Sequence, residues 1–463
     1  MTPEAFRRHG HEIVDWIADY WQGIESRDVV PGVEPGQLRR ALPTRAPEAA
    51  EPFEAILEDV ERLIVPGMAH WGHPGWFAYF PSNASPPSVL GEMLAAGLGA
   101  QCMSWVTSPA ATELEQVVMA WLREALAIPE GFTGSIQDTA SSATLVAFLT
   151  ARDRLGPDAA RMTAYWSREA HSSVAKAARL AGIPPERCRV VEVDQAWALR
   201  PDHLAALLAQ DRAAGLVPGI IVASMGTTSS TACDPIRAVG ELARGARAWY
   251  HVDAAYGGTA AILPEIRPLL DGLELADSYV TNPHKWLMTS FDCTAYFVRD
   301  VEALLSTCRT SPEYLRTAHD PEVVNYRDWG IPLGRRFRAL KLWFVLRSYG
   351  LAGLRELFRG HLALAQELAG WVDGTQGWER LAPVPLGLVC FRHVPPTLAG
   401  DEQALARHNA GLLARVNASG RVFLTHTTLG GRYTIRMSIG QFRTERRHVE
   451  AAWELLRAAA TER

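Results

Sequence analysis

Between residues 130 and 300, short apolar runs rich in β-branched and aromatic residues take turns with helical patterns, and this alternation constrains the fold more than any other feature of the chain. The runs are "MTAYWS", "CRVVEV", "GIIVASM", "WYHVDA", "DSYVT" and "TAYFVR". Helical patterns fall near 141–154, 171–181, 201–213 and 235–244. Strands that are apolar on both faces, separated by helices, predict an α/β unit with a mostly parallel sheet covered on both sides. In such sheets a ligand sits beyond the carboxyl ends of the strands. The residues that follow the runs are therefore the first candidates for chemistry.

The flanks read differently. Thr2 and Pro3 are placed as cap and first-turn residue of a helix whose apolar positions include Phe6, Ile13, Ile17, Tyr20 and Trp21. A proline-rich connector at 31–53 precedes a second helix near 54–63. Further helices are expected at 87–99 and 109–127. After "RALKLWFVLRSYG" and a helix near 353–373, the runs "LGLVCFRHV", "RVFLTHT" and "RYTIRMSIG" alternate with helices up to one at 444–459, as in a small α+β domain. The expected organisation is an N-terminal helical segment (1–85), a large domain (86–345) and a small C-terminal domain (346–463).

Net charge is −5 and the pI about 6.3, so there is no basic footprint for nucleic acid. No apolar run reaches the ~18–20 residues of a membrane span. The cysteines at 102, 188, 233, 293, 308 and 390 form no CxxC pair and lie near no histidine at metal-ligand spacing, so no metal is expected. Scattered thiols in a long chain predict reduced side chains and a cytoplasmic protein.

Lysine is rare. It occurs at 176, 285 and 341 alone, against 43 arginines. Codon bias accounts for most of that ratio, yet a guanidinium cannot replace an amine that must form a covalent bond to a carbonyl. Lys285, in "NPHKWL", lies between a turn-forming proline and the apolar Trp286-Leu287-Met288. Four other constellations follow β-rich runs or open helices. Thr139, Ser141 and Ser142 start a helix, a setting that fits a phosphate or plain capping. His171 starts another, either as a cap or as a ring-stacking group. Thr227, Thr228 and Asp234 fit a ligand or a polar turn. Asp253 ends an apolar strand and needs a partner, whether a protonated ring nitrogen or a protein group. Taken in order, phosphate cradle, stacking histidine, carboxylate and amine are the set that pyridoxal 5′-phosphate requires.

The chain resembles the group II pyridoxal-phosphate decarboxylases, most closely the aromatic L-amino-acid decarboxylases. The resemblance is carried by "HWGHPGWFAYFPS", "SWVTSPAATELE", "TASSATLVAFLTAR", "AHSSVAKA", "HVDAAYGG", "NPHKWL", "FDCTAYFVR" and "YRDWGIPLGRRFRALKLW". It implies the aspartate-aminotransferase-like fold type I and a homodimer with active sites at the interface. It implies that Lys285 is the Schiff-base lysine, that Asp253 pairs the pyridinium and that His171 stacks on the ring. Ala140, Ser141 and Asn282 would hold phosphate, with Thr227 and His284 beside the cofactor. Tyr314 would close over the substrate and donate a proton. Trp71, Tyr79, Phe80, Pro81 and Ser82 would line the substrate pocket, with Gln101 and Met103 reaching across from the partner subunit. Gly334 stands where the family makes room for a large ring. Ser82, Gln101 and Met103 depart from the Thr, Ile and Phe of animal members. The implied reaction is decarboxylation of tryptophan, tyrosine, DOPA or phenylalanine, with a lean to tryptophan because Gly334 and Ser82 are small. The alternative is an aromatic acetaldehyde synthase, a reaction associated in the family with phenylalanine in place of the loop tyrosine.

Overall fold

The structure is a computed structural model and describes residues 1–310, 312–315 and 317–461. Thr2 caps the first helix, Pro3–Gln22, accepting the N–H of Ala5 at 3.2 Å. The connector is not wholly extended, since Gln37–Ala41 forms a short helix. The second expected helix divides into an α-helical Phe53–Asp59 and a wider π turn, Val60–Ile64.

Seven strands build the large sheet: β1 (Thr133–Gln137), β2 (Met162–Ser167), β3 (Cys188–Val191), β4 (Val217–Ser224), β5 (Trp249–Asp253), β6 (Ser278–Thr281) and β7 (Thr294–Val298). Their order is β1-β7-β6-β5-β4-β2-β3. Strands β2 to β6 run parallel, and β7 is antiparallel to both its neighbours. The two-residue strand period divides the core in two. Ile220, Val222, Tyr296 and Val298 pack with helix Ala140–Arg154 on one face. Ile221, Ala223, Ala295 and Phe297 pack on the other, with helix Ile236–Ala246. Covering on both faces is why β2 and β4 to β7 read as largely apolar runs.

A second, antiparallel sheet follows in the order β10-β11-β9-β8, from β8 (Trp378–Arg380), β9 (Leu388–His393), β10 (Thr425–Leu429) and β11 (Arg432–Ser438). Gly430 and Gly431, at φ 56° and 81°, make the two-residue turn between β10 and β11. Both central positions of such a turn need positive φ, which glycine adopts without steric cost. Phe77, from the N-terminal segment, is buried in the core of this smaller unit with Phe391, Ile435 and Met437. The expected boundary at 345/346 lies inside one helical element, Arg338–Gly374. Its direction breaks at Gly350, where φ is 61° and ψ 168°. All six cysteines are free thiols. Among the described residues no helix is long and apolar enough to cross a membrane.

Candidate active site

The site forms where β5 and β6 end. Asp253, the last residue of β5, is buried, and its Oδ1 accepts the N–H of Ala255 at 3.1 Å. After β6, Asn282 stands just before the short helix Pro283–Trp286, its Oδ1 accepting from Thr294 Oγ1 at 2.9 Å, with Pro283 in the first turn. That turn presents Lys285. The lysine carbonyl accepts a hydrogen bond from Asn83 Nδ2 at 2.9 Å, and its Nζ lies 5.4 Å from the centre of the Phe80 ring. Burial lowers the Lys285 pKa, while the charge of Asp253 acts against that shift. A lowered pKa leaves more of the amine unprotonated and nucleophilic. The other two lysines are elsewhere. Lys176 is exposed on its helix, and Lys341 is fully buried with Nζ 2.8 Å from Glu92 Oε2.

His171 caps helix Ser172–Leu180. Its Nδ1 accepts the N–H of Ser173 at 3.2 Å, which puts the ring proton of the neutral form on Nε2. Burial, then the charge of Lys285, lowers its pKa, with Asp253 opposing. His284 is driven further, to about 3, by burial and then by Lys285; its Nδ1 accepts the N–H of Cys293. Both rings are therefore neutral near pH 7.

Asp253, Lys285, His171 and His284 line one cavity of about 220 Å³ together with Ala140, Ser141, Thr227 and Asn282. Thr139 Oγ1 accepts the N–H of Ser142 at 3.3 Å, so the hydroxyl caps the helix that starts at Ala140. A second cavity of about 580 Å³ shares Phe80, His171, His284 and Lys285 with the first. Its wall brings in Trp71, Tyr79, Pro81 and Ser82. Trp71 and Tyr79 stack at 5.7 Å with their planes 17° apart.

Two wall residues escaped the sequence reading, Phe291 and Arg436. Arg436 lies in β11 and is 5% exposed. Its Nη2 donates to the carbonyl of Thr228 at 2.7 Å, its Nε to that of Ser229 at 3.0 Å and its Nη1 to Thr425 Oγ1 at 2.9 Å. Among the described residues it has no carboxylate partner. A buried cation held by neutral groups alone is poised for an anion. The signal available in the sequence was an arginine inside the apolar pattern of "RYTIRMSIG". Among the candidates, Ser142 and Asp234 line neither cavity, and Asp234 is a structural acceptor for the N–H groups of Leu199 and Ser224. Four residues assigned through the resemblance line neither cavity. Tyr314 is 80% exposed on the turn Glu313–Leu315. Gln101 and Gly334 lie against each other, and the Met103 carbonyl accepts the N–H of Arg327 at 2.8 Å.

A family model described as the pyridoxal-dependent decarboxylase conserved domain matches residues 35–394. The chain belongs to this family. It is 44% identical to a phenylacetaldehyde synthase of Arabidopsis thaliana, over 100% of the chain and 97% of that protein. It is 42% identical to tryptophan decarboxylase 2 of Oryza sativa subsp. japonica, over 100% and 95%. Among solved structures it is similar to Oryza sativa TDC with PLP and tryptamine, with a TM-score of 0.97, 38% identity and coverage of 100% of this chain and 98% of that one. As a pyridoxal-dependent decarboxylase it is a carboxy-lyase whose cofactor is pyridoxal 5′-phosphate. The residues present fit that group. One cavity offers an amine of lowered pKa, a buried carboxylate whose described hydrogen bond comes from a single backbone N–H, and a helix start with hydroxyls.

Proposed function

We propose that this decarboxylase acts on aromatic L-amino acids, with tryptophan preferred, releasing carbon dioxide and the arylalkylamine, and that it works as a homodimer in the cytoplasm. The observation that carries the reading is the wall of Trp71, Tyr79 and Phe80 beside Lys285 in a cavity with one buried cation, Arg436. A flat apolar side chain gains from stacking on such a wall, whereas a side-chain carboxylate does not.

Pyridoxal phosphate, when bound, supplies an electron sink for the pair left as the carboxylate departs. The chain's residues do the rest. Lys285 would hold the cofactor through its amine, whose pKa burial lowers. Asp253 would pair with the ring nitrogen and keep it protonated, and His171 would offer its ring for stacking. Ala140, Ser141 and Asn282 would hold the phosphate, with Thr227 and His284 beside the cofactor. The aromatic wall fixes the substrate's side chain, and this orientation selects which bond breaks. Tyr314 delivers the proton to the substrate carbon; for this it approaches the cavity from its surface turn or from a second copy of the chain.

The homodimer is supported by an apolar row on helix Pro86–Leu98, where Leu90, Met93, Leu94 and Leu98 are all exposed in the single chain. Such a patch marks a protein contact. Gln101 and Met103 follow that helix and are assigned to the partner's pocket. The six free thiols fit a reducing compartment.

A second reading, aromatic acetaldehyde synthase, has the Arabidopsis relative in its favour; Tyr314 favours the amine. Chromatography of the products from mixed aromatic amino acids, with oxygen and ammonia measured alongside, tests both. Amine without oxygen uptake supports the first, aldehyde with ammonia the second. Turnover of glutamate alone overturns the aromatic assignment.

A further inference from the structure

Three buried polar side chains outside the cavity walls meet behind Lys285. Asn83 is 1% exposed, Gln441 2% and His361 3%. Asn83 Nδ2 donates to the carbonyls of Lys285 and Gly440, each at 2.9 Å, and its Oδ1 accepts the N–H of Phe442 at 2.7 Å. The indole N–H of Trp286 donates to His361 Nδ1 at 3.0 Å. An indole nitrogen is a donor only, so Nδ1 is the acceptor and the proton sits on Nε2. That Nε2 donates to the carbonyl of Gln441 at 3.2 Å. The amide nitrogen of Gln441 donates in turn to the carbonyl of Trp71.

The segment at 440–442 is thus gripped twice, by Asn83 and by His361, and it grips the aromatic wall through Trp71. It fits closely as well. A Cβ on Gly440 would stand 2.9 Å from Pro81 Cγ and 3.1 Å from Trp286 Nε1. Pro81 and Trp71 face the second cavity, and Trp286 follows Lys285 directly. Burial holds the His361 pKa down at about 4, so the ring keeps its single-proton form near neutrality.

We propose that Asn83 and His361 are positioning residues that set the Lys285 amine against the Trp71 wall through the strap at 440–442. Neither touches the cavity. Each fixes one face of the turn that carries the lysine, Asn83 by its carbonyl and His361 by its neighbouring indole. Displacing the strap moves wall and amine relative to each other, so substrate affinity and turnover change together. The proposal rests on the reading that Lys285 carries the cofactor.

The test uses the full-length protein loaded with pyridoxal 5′-phosphate and the variants Asn83→Asp, His361→Phe and His361→Asn. Asn83→Asp loses both donated bonds and keeps the acceptor for Phe442. His361→Asn keeps an acceptor near the Nδ1 position, and His361→Phe keeps neither bond. Borohydride trapping should give an undiminished adduct at residue 285 in all of them. KM for tryptophan should rise and kcat fall, each by about tenfold in Asn83→Asp and His361→Phe, the scale of a lost buried hydrogen bond. His361→Asn should recover part of both. The pH midpoint of the bound cofactor's visible band should shift in the two severe variants. Wild-type KM, kcat and midpoint in folded variants overturn the proposal, as does a loss of activity with an unmoved midpoint and no recovery in His361→Asn. Should His361→Phe fail to fold, Asn83→Asp decides by the same readouts. If the wild-type protein itself traps no adduct at 285, the assignment of Lys285 fails, and the positioning role fails with it.

Discussion

Gly334 and Gln101 are packed so closely that a Cβ on the glycine would stand 3.1 Å from Gln101 Nε2. The glutamine has little freedom to retreat, because its Oε1 accepts the N–H of Arg335 at 2.7 Å. Gly334→Ser therefore pushes on that amide. With Gln101 assigned to the partner's substrate pocket and Gly334 to the room for a large ring, the variant should lose tryptophan relative to phenylalanine by about tenfold in kcat/KM, the range for a change of one small group. Competition assays with the two amino acids measure the ratio, and an unchanged ratio removes Gly334 from the specificity set.

The three lysines separate cleanly by environment. Lys285→Ala should bind no cofactor covalently and show no turnover. Lys176→Ala should behave as wild type. Lys341→Ala should keep its activity but lose roughly 2 kcal/mol of stability, since a fully buried stem and its contact with Glu92 both go. Borohydride trapping and denaturant titration distinguish the outcomes; an active Lys285→Ala would end the present account of the site.

Arg436 carries a buried charge with neutral partners, so its loss should be felt by an anionic substrate. Arg436→Gln should lower kcat/KM about 10- to 100-fold, the worth of a charge-assisted hydrogen bond. Arg436→Lys should recover little, because an ammonium cannot reach Thr228, Ser229 and Thr425 together. Steady-state kinetics with tryptophan and tryptamine inhibition separate the parts, since tryptamine lacks the carboxylate and should bind the variants unchanged.

Four buried histidines make the fold sensitive to acid. Burial brings His73, His251 and His361 to about 4, and burial with the Lys285 charge brings His284 to about 3, from an ordinary 6.5. Below about 6.5 the unfolded chain takes up protons that these rings refuse in the fold. The unfolded state then binds more protons, so stability falls as pH drops from about 6.5 towards 4. Each ring contributes up to about 1.4 kcal/mol per pH unit in that window. Denaturant midpoints at pH 7.5 and 5 should differ clearly. A flat profile would show that some other set of groups compensates.

Tyr314→Phe removes the assigned proton donor and leaves the ring in place. Product should move from amine towards aldehyde, with oxygen consumed and ammonia released. Unaltered amine formation at the normal rate would assign the proton to another group.

Most of the large sheet was legible because burial on both faces leaves a largely apolar run in β2 and β4 to β7. β1 was not read, since "TGSIQ" is held by packing rather than by its own hydrophobicity: a Cβ on Gly134 would meet Met119 Cε at 2.3 Å. Thr2 as a cap and Lys285 as a cavity amine followed from local chemistry and needed no tertiary knowledge. Arg436 was not read, because beyond its place in the apolar pattern of "RYTIRMSIG" its meaning rests on carbonyls more than 200 residues away. Asn83, His361 and Gln441 belong to the same class: each is an ordinary polar residue in the sequence, and its meaning lies in partners brought together by folding.

The apolar row on helix Pro86–Leu98 has a bearing on how the protein is handled. If it is covered by a second copy, specific activity becomes a property of concentration, governed by mass action. Dilution would strip each chain of its cover, leaving hydrocarbon in water and half-built pockets, so rates measured at nanomolar protein would understate those in a crowded cell.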